Sequence, residues 1–374
     1  MADIPPGSTK NPYVTAAKKL LLRMEKNEPL ECCGVFDGIT ARIALEEAWE
    51  AFYVGGITAC ASRMAQADAD SGAQTEFLDA VDNITELAWK VGIMVIADPE
   101  TGMGDAIAVE RMTKRFIRAG VAALVISDRA PAKGKDPAGH DMVMPDKDFL
   151  ARVSAAHKAR ESQDDILIIA RSSGHGALGI DGSIKRLKDA EALGADIIWL
   201  TGVANKISPN DFAMRVKNSK FAVAKSTSTP NNHHRLGPAA SEQVALILWP
   251  DASIGTIVNW LGRDLLELYV NQKQSRGTRF ETANLYRLFG FYHWDKTKPE
   301  AERAAEEQLE KTPVPSPQAA ASPEPHTRGA WASGPPDFGE SEAGLSGSSR
   351  RGNGGHGNRS RGGSGKRVHW RDIP

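Results

Sequence analysis

Eight short apolar runs, spaced along the first two thirds of the chain, limit what it can fold into more than any other feature. They are Cys32–Phe36, Ala51–Gly56, Gly92–Asp98, Ala122–Asp128, Ile166–Ser172, Asp196–Gly202, Phe221–Thr227 and Val244–Pro250. Runs this short and this continuously apolar read as strands buried on both faces. Between them, Ile39–Trp49, Glu76–Val91, Ala106–Ala119, Lys147–Arg160 and Ile184–Leu193 carry apolar residues at helical spacing. In "RAGVAALVISD" and "ALGADIIWLTG" a helix ends at Gly120 or Gly194 and a strand begins within two residues. Strands linked by helical crossovers form a parallel sheet that helices must cover. Eight such units in about 250 residues predict an α/β fold, a closed (β/α)8 TIM-type barrel, with a doubly wound open sheet as the alternative.

The rest of the chain is organised around that unit. Residues 1–28 form a lead-in with a weakly basic helix, 29–304 the barrel and its C-terminal helices, and 305–374 a segment expected to be disordered, because beyond Pro299 the composition turns to Ala, Glu, Pro, Ser and Gly. Two helices follow the eighth strand, in "SIGTIVNWLGRDLLELYVNQKQ" and "RFETANLYRLFGFYHW". The first, Ser253–Gln274, carries Ile254, Ile257, Trp260, Leu261, Leu265, Leu268 and Tyr269, more apolar surface than an outer ring needs. A homo-oligomer, dimer or tetramer, is the expectation.

A formal net charge of −1 argues against a protein that works by coating nucleic acid or an acidic membrane along its whole surface. Local contact is another matter. Ser346–Arg371 holds seven Lys or Arg, no acid, and Trp370 near its end, a pattern able to touch RNA or another anionic partner; a merely solvated tail is the plainer reading. Three cysteines, Cys32, Cys33 and Cys60, are too few and too clustered for a disulfide framework, and no stretch approaches the apolar length of a membrane span. A soluble, cytoplasmic protein is expected.

In a barrel of this kind, chemistry lies at the C-terminal strand ends, where Asp37, Asp98, Glu100, Asp128, Arg171 and Lys225 fall. In "VGIMVIADPETGMGDA", Asp98 and Glu100 stand two apart. On extended backbone at a solvent-facing mouth, both carboxylates would point the same way, as one hard divalent cation requires. Gly102 and Gly104 would turn the chain around it. Alternatively, the two acids cap the helix that begins near Asp105.

"IADPETGMG", followed by "AGVAALVISD", "GHD" and "IIARSSG", resembles the isocitrate lyase and phosphoenolpyruvate mutase superfamily, in which the first run usually reads D-A-D-T-G-[FY]-G. The likeness runs from Gly34 to His293. It implies a (β/α)8 barrel whose extra C-terminal helix is exchanged between subunits, with Mg²⁺, or Mn²⁺ in its place, as cofactor. It further implies a small 2-oxo or 2-hydroxy carboxylate substrate, handled by a C–C lyase or a related mutase or hydrolase through an enolate-like species. On this resemblance Asp98, Glu100 and Asp70 hold the metal and its waters, and Arg171 grips the substrate carboxylate. Gly55, Gly56, Asp37 and Thr227 line the substrate site, while His140, Lys133 and Lys135 are the acid–base candidates.

Several positions depart from the superfamily pattern. Ala138 precedes Gly139-His140 where lyases carry a proton-donating Cys, and Ser127 replaces the acid before Asp128. Adjacent strand residues face opposite ways, so Asp128 cannot substitute for it without a bulge. Gly55 replaces a Ser, Ser172-Ser173 replace T-D, Thr201 replaces a Glu, and Met103 an aromatic. His175, in "RSSGHG", is close enough to Arg171 in sequence to be a replacement acid or base; His233-His234 read as a loop pair. These changes leave open a catalytically inactive barrel that serves in binding or assembly.

Overall fold

Side-chain parity along the strands explains the architecture. The computed structural model describes residues 14–65, 74–130, 134–203, 206–227 and 236–271, with scattered positions between 288 and 308. Strands β1 (Leu30–Val35), β2 (Ala51–Gly55), β3 (Met94–Asp98), β4 (Ala123–Ser127), β5 (Leu167–Ser172), β6 (Ile197–Leu200), β7 (Phe221–Ala224) and β8 (Val244–Trp249) pair in sequence order, all parallel, and β8 closes on β1. The closed barrel predicted from the eight runs is therefore the fold, and the open sheet is excluded.

Alternate residues along each strand enter two separate cores. Ala51 and Tyr53, Met94 and Ile96, Ala123 and Val125, Leu167 and Ile169, and Ile197 and Trp199 fill the barrel interior. Their neighbours Phe52 and Val54, Val95 and Ala97, Leu124 and Ile126, Ile168 and Ala170, and Ile198 and Leu200 pack outward against the helices. Both faces being buried, the strands read as unbroken apolar runs. The residue that ends each strand inherits its parity, which decides whether a polar group faces the axis or the outer layer.

The helices are α1 (Ala16–Glu25), α2 (Gly38–Glu46), α3 (Gly56–Met64), α4 (Gln74–Val91), α5 (Ala106–Ala119), α6 (Asp146–Ala159), α7 (Gly179–Ala192), α8 (Pro209–Val216), α9 (Pro238–Gln243) and α10 (Ala252–Asn271). Helix α7 begins five residues before the stretch marked by apolar spacing, because Gly179 and Gly182 give no periodic signal. Leu20 and Met24 of α1 belong to the interior core, so the lead-in helix packs with the barrel's inner residues. Opposite in character is α10. Ser253 Oγ anchors its first turn on the Gly34 carbonyl at 2.6 Å, and Ile254 and Ile257 pack on the outer core. Beyond that turn Trp260, Leu261, Leu265, Leu268 and Tyr269 are exposed.

The chain divides into two compact units, Met1–Arg303 and Ala304–Pro374. The second C-terminal helix expected around residues 279–294 and the segment 305–374 lie outside the described residues but for scattered positions. Among the described residues no helix is long and apolar enough to cross a membrane.

Candidate active site

Strand β3 ends at Asp98 and the chain turns at once. Gly102 N–H donates to the Pro99 carbonyl at 3.2 Å, and Glu100 takes a left-handed φ of 59°. Gly102 is required twice over: its φ is +92°, and a Cβ there would come within 2.5 Å of Val109 Cγ2. The expected extended backbone from Asp98 to Glu100 is therefore absent. The capping alternative fails too, since Asp105 caps α5 itself, its Oδ1 accepting from the N–H groups of Ile107 and Ala108 at 3.0 Å.

The two acids converge through a third residue. Arg171, on β5, donates through one terminal nitrogen to Asp98 Oδ2 and through the other to Glu100 Oε2 at 2.6 Å. Tyr53 Oη donates to the same Asp98 oxygen, and the Glu100 N–H donates to Asp98 Oδ1 at 2.9 Å. The Arg171 guanidinium lies 5.0 Å from the centroid of the Trp199 ring, which meets Tyr53 edge-on at 6.3 Å. Tyr53, Asp98, Arg171 and Trp199 share one parity and form an inward-facing layer at the C-terminal ends of β2, β3, β5 and β6. Sequence reasoning missed the two aromatics. Their inward position was legible in "AFYVGG" and "DIIWLTG", but an aromatic in an apolar run reads as core.

This layer is sealed, contrary to the expected solvent-facing mouth. The side chains of Asp98, Glu100 and Arg171 are 0%, 5% and 8% exposed. Burial pushes the Asp98 carboxyl up to about 6; Arg171 pulls it down and the Glu100 charge pushes it further up. Burial works to lower the Arg171 pKa, but the two carboxylates outweigh it and hold the guanidinium more firmly protonated. Burial and the Asp98 charge raise the Tyr53 hydroxyl well above its ordinary value, so it serves as a donor.

The other expected residues are more dispersed. Asp128 leaves β4 with outward parity and does not join the inner layer. Its carboxylate accepts from Ser172 Oγ at 2.6 Å, Ser173 N–H at 2.8 Å and Arg186 of α7 at 3.1 Å. Asp37 caps α2, accepting the Thr40 N–H at 2.8 Å. Gly55 borders the layer: a Cβ there would stand 3.1 Å from the Tyr53 ring, and Gly56 opens α3 beside it. Thr227 is exposed, its N–H on Asp251 at 3.1 Å. A cavity of about 240 Å³ near it is lined by Trp199, Thr201, Gly202, Lys225, Ser226 and Asp251, among others.

The described residues 134–143 of the β4–α6 connection form a hairpin. Asp136-Pro137-Ala138-Gly139 makes its turn, with Pro137 at the second position and Gly139 in the left-handed region. At its tip His140 Nδ1 lies 3.1 Å from Asp136 Oδ2, and Lys135 pairs with Asp141 at 2.5 Å. Asp136 is held below its ordinary pKa chiefly by the His140 N–H. Lys133, Asp70 and His233-His234 lie outside the described residues.

Among the described residues no three His, Cys, Asp or Glu side chains stand close enough to share a metal ion. The chemistry of the pair that remains still fits a hard cation. Two buried carboxylates face a single guanidinium, and burial, with the Glu100 charge adding to it, raises the Asp98 pKa. A cation such as Mg²⁺, which keeps several of its waters, needs only one or two protein carboxylates.

Comparison with known proteins agrees with this geometry. The phosphoenolpyruvate phosphomutase family model matches residues 21–249. The chain is similar to 2-methylisocitrate lyase of Aeropyrum pernix, 28% identical over 296 residues that cover 78% of this chain and 93% of that protein. It is 31% identical over 168 residues to 2,3-dimethylmalate lyase of Eubacterium barkeri, covering 45% of this chain but only 56% of that relative's length. A crystal structure of a 2,3-dimethylmalate lyase, described as a PEP mutase/isocitrate lyase superfamily member, superposes with a TM-score of 0.68 at 25% identity, covering 77% of this chain and 96% of that one. With a family model spanning most of the barrel and a solved member of the superfamily sharing its fold, the chain belongs to the phosphoenolpyruvate phosphomutase family.

Proposed function

We propose that this protein is a Mg²⁺-dependent lyase, or a related mutase or hydrolase, acting on a small 2-oxo or 2-hydroxy carboxylate through an enolate-like intermediate. The observation that carries this reading is the meeting of Asp98, Glu100 and Arg171 in the inward-facing layer at the C-terminal strand ends. Relatives named for methylisocitrate and dimethylmalate support the substrate class.

Asp98 and Glu100 are the residues that would hold the cation, with Asp70 completing its surroundings. Bound there, the cation supplies Lewis-acid stabilisation of charge developing on substrate oxygens. Arg171 then serves the substrate carboxylate, for which a planar fork of donors is suited. Tyr53 orients Asp98 by donating to it, and Trp199 shields the guanidinium from water. Gly55 leaves room for the Tyr53 ring. The exposed face of α10 supports assembly with a second copy of the chain. The basic stretch Ser346–Arg371 offers a separate contact for RNA or another anionic partner.

The test is a screen of 2-methylisocitrate, isocitrate, substituted malates, oxaloacetate and phosphonopyruvate with and without Mg²⁺, following pyruvate or glyoxylate. Turnover of at least one compound that disappears with chelator is the expected result. One observation favours a second reading, an inactive barrel kept for binding or assembly: Arg171 already pairs with both acids. Absence of turnover across the screen, together with absence of oxalate binding, would select that reading.

A further inference from the structure

Ala138 carries no proton, yet an enolate-like intermediate has to be protonated on carbon. The β4–α6 hairpin and the β5–α7 loop each carry a histidine. His140 lies against that loop, since a Cβ on Gly176 would stand 2.6 Å from its Cδ2. Its Nδ1 is engaged by Asp136 at 3.1 Å and its side chain is 44% exposed, so it belongs to its own turn.

His175 lies on the other side, toward the barrel. A Cβ on Gly202 would sit 3.5 Å from its Cε1 and 3.6 Å from its Nδ1. Gly202, with φ +91°, has both the left-handed backbone and the open Cα that let an imidazole lie against the end of β6. It also lines the 240 Å³ cavity together with Trp199, whose ring carries Arg171, and with Thr201, Lys225 and Asp251. His175 Nδ1 is shut off from solvent and has no hydrogen-bond partner among the described residues. An unsatisfied buried ring nitrogen is costly, and such a group in a native fold asks for a ligand or a proton-transfer role. Lys225, a cation that lines the cavity, is placed over the Trp249 ring at 5.2 Å.

We infer that His175 is an additional catalytic residue of this barrel, the group that delivers a proton to the enolate carbon of a 2-oxo acid. In that step the C–H bond forms from the enolate π pair and an imidazolium N–H bond breaks. Its electron pair stays on nitrogen, and the imidazole regains a proton from water. The inference rests on the lyase reading and deepens it, because it names the residue that replaces the thiol absent at position 138.

The half-reaction isolates the claim. Pyruvate in D₂O with Mg²⁺ would be followed by proton NMR for loss of its methyl signal, and oxalate affinity would be measured on the same samples by calorimetry. Wild type should exchange faster than buffer. His175→Gln should lose about 100-fold of that rate, the ordinary scale of general acid–base catalysis, with oxalate affinity within about threefold. His175→Ala should be slow and recover with added imidazole, which a purely structural residue would not permit. Exchange by His175→Gln at the wild-type rate, or no exchange by a wild type that binds oxalate, overturns the assignment. A wild type that binds no oxalate overturns the lyase reading itself, and the assignment with it.

Discussion

Arg171 and Arg186 are two solutions to one electrostatic problem. Each donates its two terminal nitrogens to two carboxylates, Arg171 to Asp98 and Glu100, Arg186 to Asp128 and Asp146. Among the described residues each leaves its Nε without a partner, so that atom does not tell them apart. Direction does. Arg171 points into the barrel among Tyr53 and Trp199, and both of its acids are buried. Arg186 comes from α7 and ties the helix layer to β4, also donating to the Met144 carbonyl at 3.1 Å; its second acid, Asp146, has a 60% exposed side chain. Asp128 is further satisfied by Ser172 and the Ser173 N–H. The outer cluster is a clamp between layers with its second acid in solvent, whereas the inner one buries both acids against one guanidinium. One residue of strand parity, Ser127 against Asp128, separates the two roles.

Substitutions can break that comparison. The largest effect is expected from Asp98→Ala, which strands a buried guanidinium and the Tyr53 hydroxyl: a loss of about 3–5 kcal/mol in denaturant unfolding along with all activity. Asp128→Asn should cost less, about 1–3 kcal/mol, because the serine contacts survive, and oxalate affinity per folded molecule should not change. Equal damage to ligand binding from both variants would erase the proposed division. Smaller still is Arg171→Lys, which should weaken oxalate binding about tenfold in calorimetry because a point charge cannot reproduce a fork. An undiminished affinity would remove Arg171 from the ligand's reach.

The barrel was legible because strands buried on both faces announce themselves as continuous apolar runs with glycine at the helix exits. The site was legible in part. Asp98, Glu100 and Arg171 stand out as charges at the ends of such runs, and parity alone foretold that Asp128 could not take the place of Ser127. What sequence hid depends on packing. Pro99 and Gly102 bend the chain away from the extended geometry that two acids two residues apart suggest, and the convergence is restored by an arginine on β5, two strands away. Tyr53 and Trp199 looked like core because they are core, with one polar edge turned to the acids. Asp37 combines a strand end with a helix start, and the capping role is the one its side chain fills. Burial of the Asp98–Arg171 pair, the basis for expecting Asp98→Ala to damage the fold, has no local signature in the chain.

Calorimetric titration of oxalate into the wild-type protein and Asp98→Asn, each with and without Mg²⁺, tests the central claim most directly. If the inner cluster is a carboxylate-enolate site built around a cation, wild type should bind oxalate only when Mg²⁺ is present. Asp98→Asn, folded by circular dichroism, should then lose that dependence and at least about 100-fold in affinity, as removal of a direct cation ligand implies. Wild-type protein that shows no heat with oxalate in either condition, or a variant that binds as tightly as wild type, would make Arg171 and its two acids a second structural clamp like the one around Arg186.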